Sequence, residues 1–212
     1  MIGTDLIPLC RLVVMDEREV ETTVDPVALF RIWLHEAEAA EPNDPNAVAL
    51  ATASAGGAPS VRMVLVKGVD ERGFFFYTNA DSRKGVELGE NPRAAMCFYW
   101  KSLGRQVRVE GVVTELPDEE VDAYFHSRSR ESQLGAAVSR QSQPLESREM
   151  LLEMLRELER MTPGEVPRPE WWKGYVLRPE RMELWVNREN RLHDRFSFVR
   201  GEMGWLKTRL FP

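Results

Sequence analysis

The chain of 212 residues carries 28 Lys and Arg against 34 Asp and Glu, a formal net charge of −6, with 43% hydrophobic and 29% charged residues. That balance fits a folded globular protein and argues against a general nucleic-acid binder, which needs a basic surface to neutralise phosphates. No apolar run approaches the ~20 residues needed to span a bilayer, Met1 to Arg18 lacks the basic start and apolar core of a secretory signal, and Cys10 and Cys97 form no disulfide framework, so a reducing cytoplasm is the expected compartment.

Residues 1–24 show no period and read as an N-terminal arm. Asp25-Pro26 is a helix start, with Asp as N-cap and Pro at the first position. Val27, Phe30, Ile32-Trp33-Leu34 and Ala37 then supply a helical apolar face to about Ala40. From Ala47 the pattern turns to strands: Ala47–Ala53, a Gly-Gly hairpin signal, Ser60–Val69, a turn at Asp70–Gly73 and Phe74–Thr78. A short helix is expected over Asp81–Glu90, then strands over Ala94–Trp100 and Gln106–Leu116. A helix starts at Pro117 and runs through His126, and another covers Leu145 to about Met161. Trp172–Leu177, Arg181–Val186, Leu192–Val199 and Trp205–Leu210 finish the chain as strands, and Cys97 is expected to be a buried thiol.

Most strands follow one another through turns instead of helices. The expected fold is therefore mainly β with peripheral α-helices, an antiparallel barrel, in one domain over residues 1–212.

Several cationic groupings stand out. Ser82-Arg83-Lys84 opens the short helix, where the dipole disfavours cations but free N–H groups attract anions. A bound phosphate would resolve that conflict; two solvated cations are the alternative. Arg62 and Lys67 have opposite parity in one strand, so they serve two sides or the strand bulges. Tyr124, Arg128 and Ser132 fall on one face if the helix after Pro117 continues, a donor set suited to a phosphate monoester. If a strand begins at Arg191, then Arg191, His193 and Arg195 share a face and need an anionic or electron-rich partner, unless acids on a neighbouring strand balance them. Gln106, Gln141 and Ser142 are polar groups suited to a planar heterocycle's edge. His35, His126 and His193 lack metal-ligand spacing, so no metal site is expected, and neither a Walker A loop nor a dinucleotide fingerprint is present.

Together these residues resemble the pyridoxine/pyridoxamine 5′-phosphate oxidase family over roughly residues 25–212. The resemblance rests on Arg62–Lys67, Tyr77-Thr78 with Ser82-Arg83-Lys84, Gln106, Tyr124–Arg128, Ser132–Ala136, Ser139 with Gln141-Ser142, and Trp185 with Arg191–Arg195. It implies an FMN-binding split β-barrel of Greek-key type, a homodimer with FMN at the subunit interface. It also implies oxidation of pyridoxine or pyridoxamine 5′-phosphate to pyridoxal 5′-phosphate, with O2 as acceptor and H2O2 (and ammonia from the amine) as by-products.

Carried onto this sequence, the cofactor would meet Arg62, Met63, Val64, Leu65, Lys67, Tyr77, Thr78, Arg83, Lys84, Gln106, Gln141, Ser142, Trp185 and Arg195. The substrate would meet Lys67, Tyr124, Arg128, Ser132, Arg191, Leu192 and His193, with Arg191 and His193 at the reacting carbon. The resemblance departs in the arm, which has no tyrosine before Tyr77. An FMN oxidase of the same fold acting on another substrate, of the phenazine-pathway type, and a non-catalytic flavin or pyridoxal-phosphate binder are the competing readings.

Overall fold

The computed structural model describes residues 17–212, so most of the expected arm, with Cys10, lies outside the described residues. Among the described residues six α-helices, α1 (Glu17–Thr22), α2 (Pro26–Ala40), α3 (Arg83–Glu90), α4 (Asp118–Ser127), α5 (Arg130–Val138) and α6 (Arg148–Met161), accompany nine strands. The strands are β1 (Ala47–Ala53), β2 (Pro59–Leu65), β3 (Gly68–Val69), β4 (Phe74–Asn79), β5 (Arg93–Trp100), β6 (Arg105–Glu115), β7 (Trp172–Val186), β8 (Asp194–Gly201) and β9 (Gly204–Leu210).

All strand pairs are antiparallel, in the order β2-β1-β5-β6-β7-β4-β3, with β8 and β9 added beside the second half of β7. The two ends of that order, β2 and β3, are joined by only Val66 and Lys67. So short a link forces the sheet to curl until its edges meet, which makes it a split barrel. The Val66 N–H donates to Asn46 O at 3.0 Å, on the β1 side, and the Lys67 N–H donates to Phe75 O at 2.8 Å, on β4. The expected single strand over Ser60–Val69 is thus two strands that pair at opposite edges.

Alternation sets which face is inside. In β1, Val48, Leu50 and Thr52 are buried while the intervening alanines are half-buried. The inner face is filled by α2, whose N-cap Asp25 accepts from Val27 N and Ala28 N as its sequence predicts. Phe30 and Trp33 of α2 are fully buried, and Phe30 packs on Phe74, Phe98 and Trp100 with centroid distances of 4.9, 4.8 and 5.7 Å. Each such side chain contributes about 1.5–3 kcal/mol by burial.

Four more expectations are corrected. The two strands over Trp172–Leu177 and Arg181–Val186 are one, β7, with a register shift at Glu110/Gly111 of β6. A Cβ on Gly111 would stand 1.9 Å from Arg178 O, so only glycine lets the strands close up there. The helix after Pro117 ends at Ser127; Arg128 is extended and Ser129 caps a new helix, α5, so Tyr124, Arg128 and Ser132 do not share one helical face. The last hairpin starts at Asp194, not Leu192, because Asn190 and Arg191 adopt left-handed φ of 55° and 62° in a tight turn over Glu189–Arg191. Arg191 and His193 therefore precede the strand that holds Arg195. Cys97 is half-buried on the outer sheet face, and burial raises its thiol pKa.

Candidate active site

A cavity of about 1000 Å³ opens where the barrel edges meet. Its lining contains Arg62, Met63, Val64, Leu65, Lys67, Tyr77, Thr78, Arg83, Lys84, Tyr124, Arg128, Ser132, Gln141 and Ser142, all of them expected from sequence. Arg62 and Lys67 line the same cavity despite their parity, since the chain changes direction at Val66–Lys67. Among the described residues β2 pairs only with β1, and its other edge presents main-chain donors and acceptors beside the cavity.

One polar group is built on the start of α3. Ser82 caps the helix, accepting from Gly85 N. Gly85 is required here: a Cβ would lie 2.1 Å from Ala80 O. The backbone N–H of Arg83 donates to Ser142 Oγ at 3.2 Å, and Ser142 holds a left-handed φ of 73° at this contact. Lys84 is buried, and its Nζ donates to Gln141 Oε1 at 2.6 Å, Thr78 Oγ1 at 2.9 Å and Ser82 Oγ at 3.1 Å, all neutral acceptors. Burial, helped by the charge of Arg62, brings the Lys84 pKa down to about 8. A buried ammonium among neutral acceptors fits a phosphate, the anion that would hold it charged.

The second polar group is built where α4 gives way to α5. Tyr77 stacks on Tyr124 (4.0 Å, 18°) and on Trp172 (5.2 Å, 12°). Arg128 lies over the Trp172 ring, and its Nη1 is buried with no hydrogen-bond partner among the described residues. Burial lowers the Arg128 pKa and raises that of Tyr124, which therefore keeps its hydroxyl proton as a donor. An orphaned guanidinium donor in a cavity also lined by Lys67, Tyr124 and Ser132 fits a second anion. Among the described residues the lining has five cations, Arg62, Lys67, Arg83, Lys84 and Arg128, and no Asp or Glu, on a chain of net charge −6.

Sequence reasoning missed Ser60, Val61, Ser129 and Trp172, which also line the cavity. Trp172 read only as the apolar start of a strand, since no local pattern tells a stacking platform from core.

The remaining expected residues are not in this cavity. Gln106, Trp185 and Arg195 are cross-strand partners on β6, β7 and β8, forming a row on the outer sheet face. Arg195 is held by Glu183, with nitrogen–oxygen distances of 2.9 and 3.1 Å. Arg191 and Leu192 are exposed on the turn before β8. His193 lies 4.6 Å from the Trp185 ring, and its Nδ1 accepts from Arg188 N at 3.1 Å. The outer face carries unusual apolar exposure: Val61 is 68%, Met63 63% and Tyr99 55% accessible. Met63 also borders a second hollow of about 460 Å³ that includes Gln106. Among the described residues no cluster of His, Cys, Asp or Glu is suited to a metal, and no helix is long and apolar enough to cross a membrane.

The chain is similar to known proteins over most of its length. Residues 34–159 match the family model for pyridoxamine 5′-phosphate oxidase, and residues 172–212 match the pyridoxine 5′-phosphate oxidase C-terminal dimerisation region. The pyridoxine/pyridoxamine 5′-phosphate oxidase of Anaeromyxobacter dehalogenans (strain 2CP-C) is 58% identical over 189 residues, covering 89% of this chain and 96% of that protein. The oxidase of the same name from Erythrobacter litoralis (strain HTCC2594) is 55% identical over 193 residues, 89% and 91% of the two chains. Among solved structures, PhzG from Burkholderia lata 383, in complex with tetrahydrophenazine-1-carboxylic acid, superposes with a TM-score of 0.88 at 34% identity over 94% of this chain and 98% of its own. A pyridoxamine 5′-phosphate oxidase-related, FMN binding protein from Nostoc punctiforme PCC 73102 shares the fold at 18% identity, with a TM-score of 0.73 over 90% of this chain and 100% of its own. Matched by both family models in order, and by full-length relatives at more than half identity, the chain belongs to the pyridoxine/pyridoxamine 5′-phosphate oxidase family.

Proposed function

We propose that this protein oxidises pyridoxine 5′-phosphate or pyridoxamine 5′-phosphate to pyridoxal 5′-phosphate, using FMN and O2, as a cytoplasmic homodimer. The observation that carries the reading is the cavity whose described lining has five cations and no carboxylate, in two donor groups. Two phosphates, one on the cofactor and one on the substrate, match two such groups.

Bound there, FMN would supply the two-electron chemistry of the oxidation, with O2 as the final acceptor and H2O2 as its product. Placement and electrostatics fall to the chain. Arg62, Arg83 and Lys84 hold the cofactor phosphate, with Gln141 and Ser142 beside it, and the open edge of β2 over Met63–Leu65 supplies main-chain contacts, flanked by Tyr77 and Thr78. Lys67, Tyr124, Arg128 and Ser132 clamp the substrate phosphate, and Trp172 shields that end from water. Arg191 and His193, next to Leu192, meet the substrate ring. His193 Nδ1 accepts a main-chain N–H, so the neutral ring carries its proton on Nε2 and acts there as a donor.

Because Gln106, Trp185, Arg191, Leu192, His193 and Arg195 lie outside the cavity, we assign them to the cavity of the partner protomer. The exposed apolar sheet face and the match of residues 172–212 to a dimerisation region support that assignment.

Protein loaded with FMN should convert pyridoxine 5′-phosphate in air to the aldehyde with an equal amount of H2O2; a loaded protein producing neither would sink the oxidase reading. The division between protomers is read by mixing Arg128→Ala with His193→Ala under conditions that exchange subunits. Statistical mixing leaves about a quarter of all sites intact if the residues come from different protomers. No recovery of activity would place both residues in one protomer.

A further inference from the structure

The carboxylate of Glu87 stands directly behind the cofactor-phosphate group, on the second turn of α3. It is 5% exposed and has polar partners from three elements. Its Oε2 accepts from Thr52 Oγ1 of β1 and Ser60 Oγ of β2, each at 2.5 Å, and from Arg62 Nη2 at 3.3 Å. Its Oε1 accepts from Arg83 Nε at 2.9 Å. Arg62 is tied to the same hydroxyls, donating from Nη1 to Thr52 Oγ1 at 2.5 Å and from Nη2 to Ser60 Oγ. Burial works to raise the Glu87 pKa, but the bonds from Ser60, Thr52 and Arg83 outweigh it and bring the value down to about 2. The group is a permanent anion at any working pH.

We propose that Glu87 is the positioning residue that makes the cofactor site selective for a phosphorylated flavin, by fixing Arg62 and Arg83 from behind. The inference rests on the FMN reading above. Two guanidinium groups and the Lys84 ammonium converge here, and without an anion they would repel one another and splay toward solvent. Glu87 prevents this from a place where it cannot itself touch the ligand side. Arg83 is the clearer case: its side chain is 64% exposed, yet its Nε is anchored to a buried oxygen, which leaves the two terminal nitrogens to face an anion. Three cations less one carboxylate leave a net of two positive charges. A phosphate monoester carries about −1.5 to −2 near neutral pH, so the site is charge-matched rather than overcharged.

The measurement is the affinity of the full-length apoprotein for FMN and for riboflavin, which lacks the phosphate, by quenching of flavin fluorescence. The ratio of the two dissociation constants isolates what the phosphate contributes. Glu87→Gln keeps the shape and one acceptor but turns the other into a donor facing Arg83 Nε or the hydroxyls. The expected result is a ratio reduced about tenfold, with riboflavin affinity within about twofold of the parent.

An unchanged ratio, with both flavins weakened together, would make Glu87 a structural residue only. Tighter FMN binding would make it a mere electrostatic burden; either result overturns the proposal. Should Glu87→Gln not fold, Thr52→Val removes the hydroxyl that bridges Glu87 and Arg62 inside a buried, isosteric position. It should lower the ratio about threefold, and an unchanged ratio there would equally overturn the role. Failure of the FMN reading shows separately, in the parent protein: if it binds riboflavin as tightly as FMN, no phosphate site exists for Glu87 to support.

Discussion

The guanidinium carbon of Arg128 lies 5.1 Å from the centroid of the Trp172 ring, which itself stacks within 12° of parallel on Tyr77. The arginine is therefore held by an aromatic face instead of a carboxylate, so its charge stays available to a ligand. Cation–π contacts of this kind contribute about 0.5–2 kcal/mol.

Trp172→Leu should release Arg128 without touching the cofactor-phosphate group. KM for pyridoxine 5′-phosphate should rise by about three- to tenfold, with kcat changing less and FMN affinity within about twofold. Steady-state kinetics and a flavin titration on one preparation check this. Equal losses for substrate and FMN would mean that Trp172 supports the whole cavity and not Arg128.

Lys84 should make FMN binding pH-dependent. In the ligand-free protein its pKa is about 8, against an ordinary 10.5, so the folded state holds this proton less tightly than the unfolded chain does. Burial of Lys84 thus destabilises the apoprotein below pH 8, and that penalty fades as pH rises from about 8 toward 10.5. FMN affinity should do the opposite, falling by up to about tenfold per pH unit above pH 8 as the free protein loses the charge the phosphate needs. Lys84→Met should raise the apoprotein melting temperature at pH 7, weaken FMN about 10–100-fold, and flatten the pH dependence. A parent protein whose FMN affinity is level from pH 7 to 10 would contradict this.

Gly85 tests how closely α3 must approach the barrel. Gly85→Ala would put a methyl group 2.1 Å from Ala80 O, which is backbone and cannot yield without moving the helix start. A loss of about 1–3 kcal/mol in stability is expected, together with weaker FMN binding because Arg83 and Lys84 shift with the helix. Gly89, four residues on, has open space around its position; Gly89→Ala is the control and should leave FMN affinity unchanged.

The parts of this site that are local were legible in the sequence. Ser82-Arg83-Lys84 announces a capped helix start with an electrostatic conflict, and Asp25-Pro26 announces α2. Alternation in Ala47–Ala53 announces a strand with one inner face. What local pattern does not carry is which edge a backbone group bonds to. Ser60–Val69 reads as one β-rich run, yet its hydrogen bonds change partner at Val66–Lys67. Arg128 sits between two serines with no proline or glycine to mark a helix end; its extended backbone, φ −79° and ψ 159°, follows from Ser129 capping the next helix. Arg191 takes a left-handed φ that glycine or asparagine usually signals, and so escapes a strand-face argument. The glutamate behind the arginines was invisible because its partners come from β1, β2 and α3, which only the fold brings together.

The Val66–Lys67 link ties loading to folding. It is the point where the two free edges of the sheet meet, and the cavity occupies that seam, drawing Arg62 to Leu65 from one edge and Tyr77 and Thr78 from the other. Any molecule bound there spans both edges and acts as a clasp on the barrel. Binding then adds to a closure that the link already makes, and the chain's resistance to unfolding rises with the concentration of what it binds.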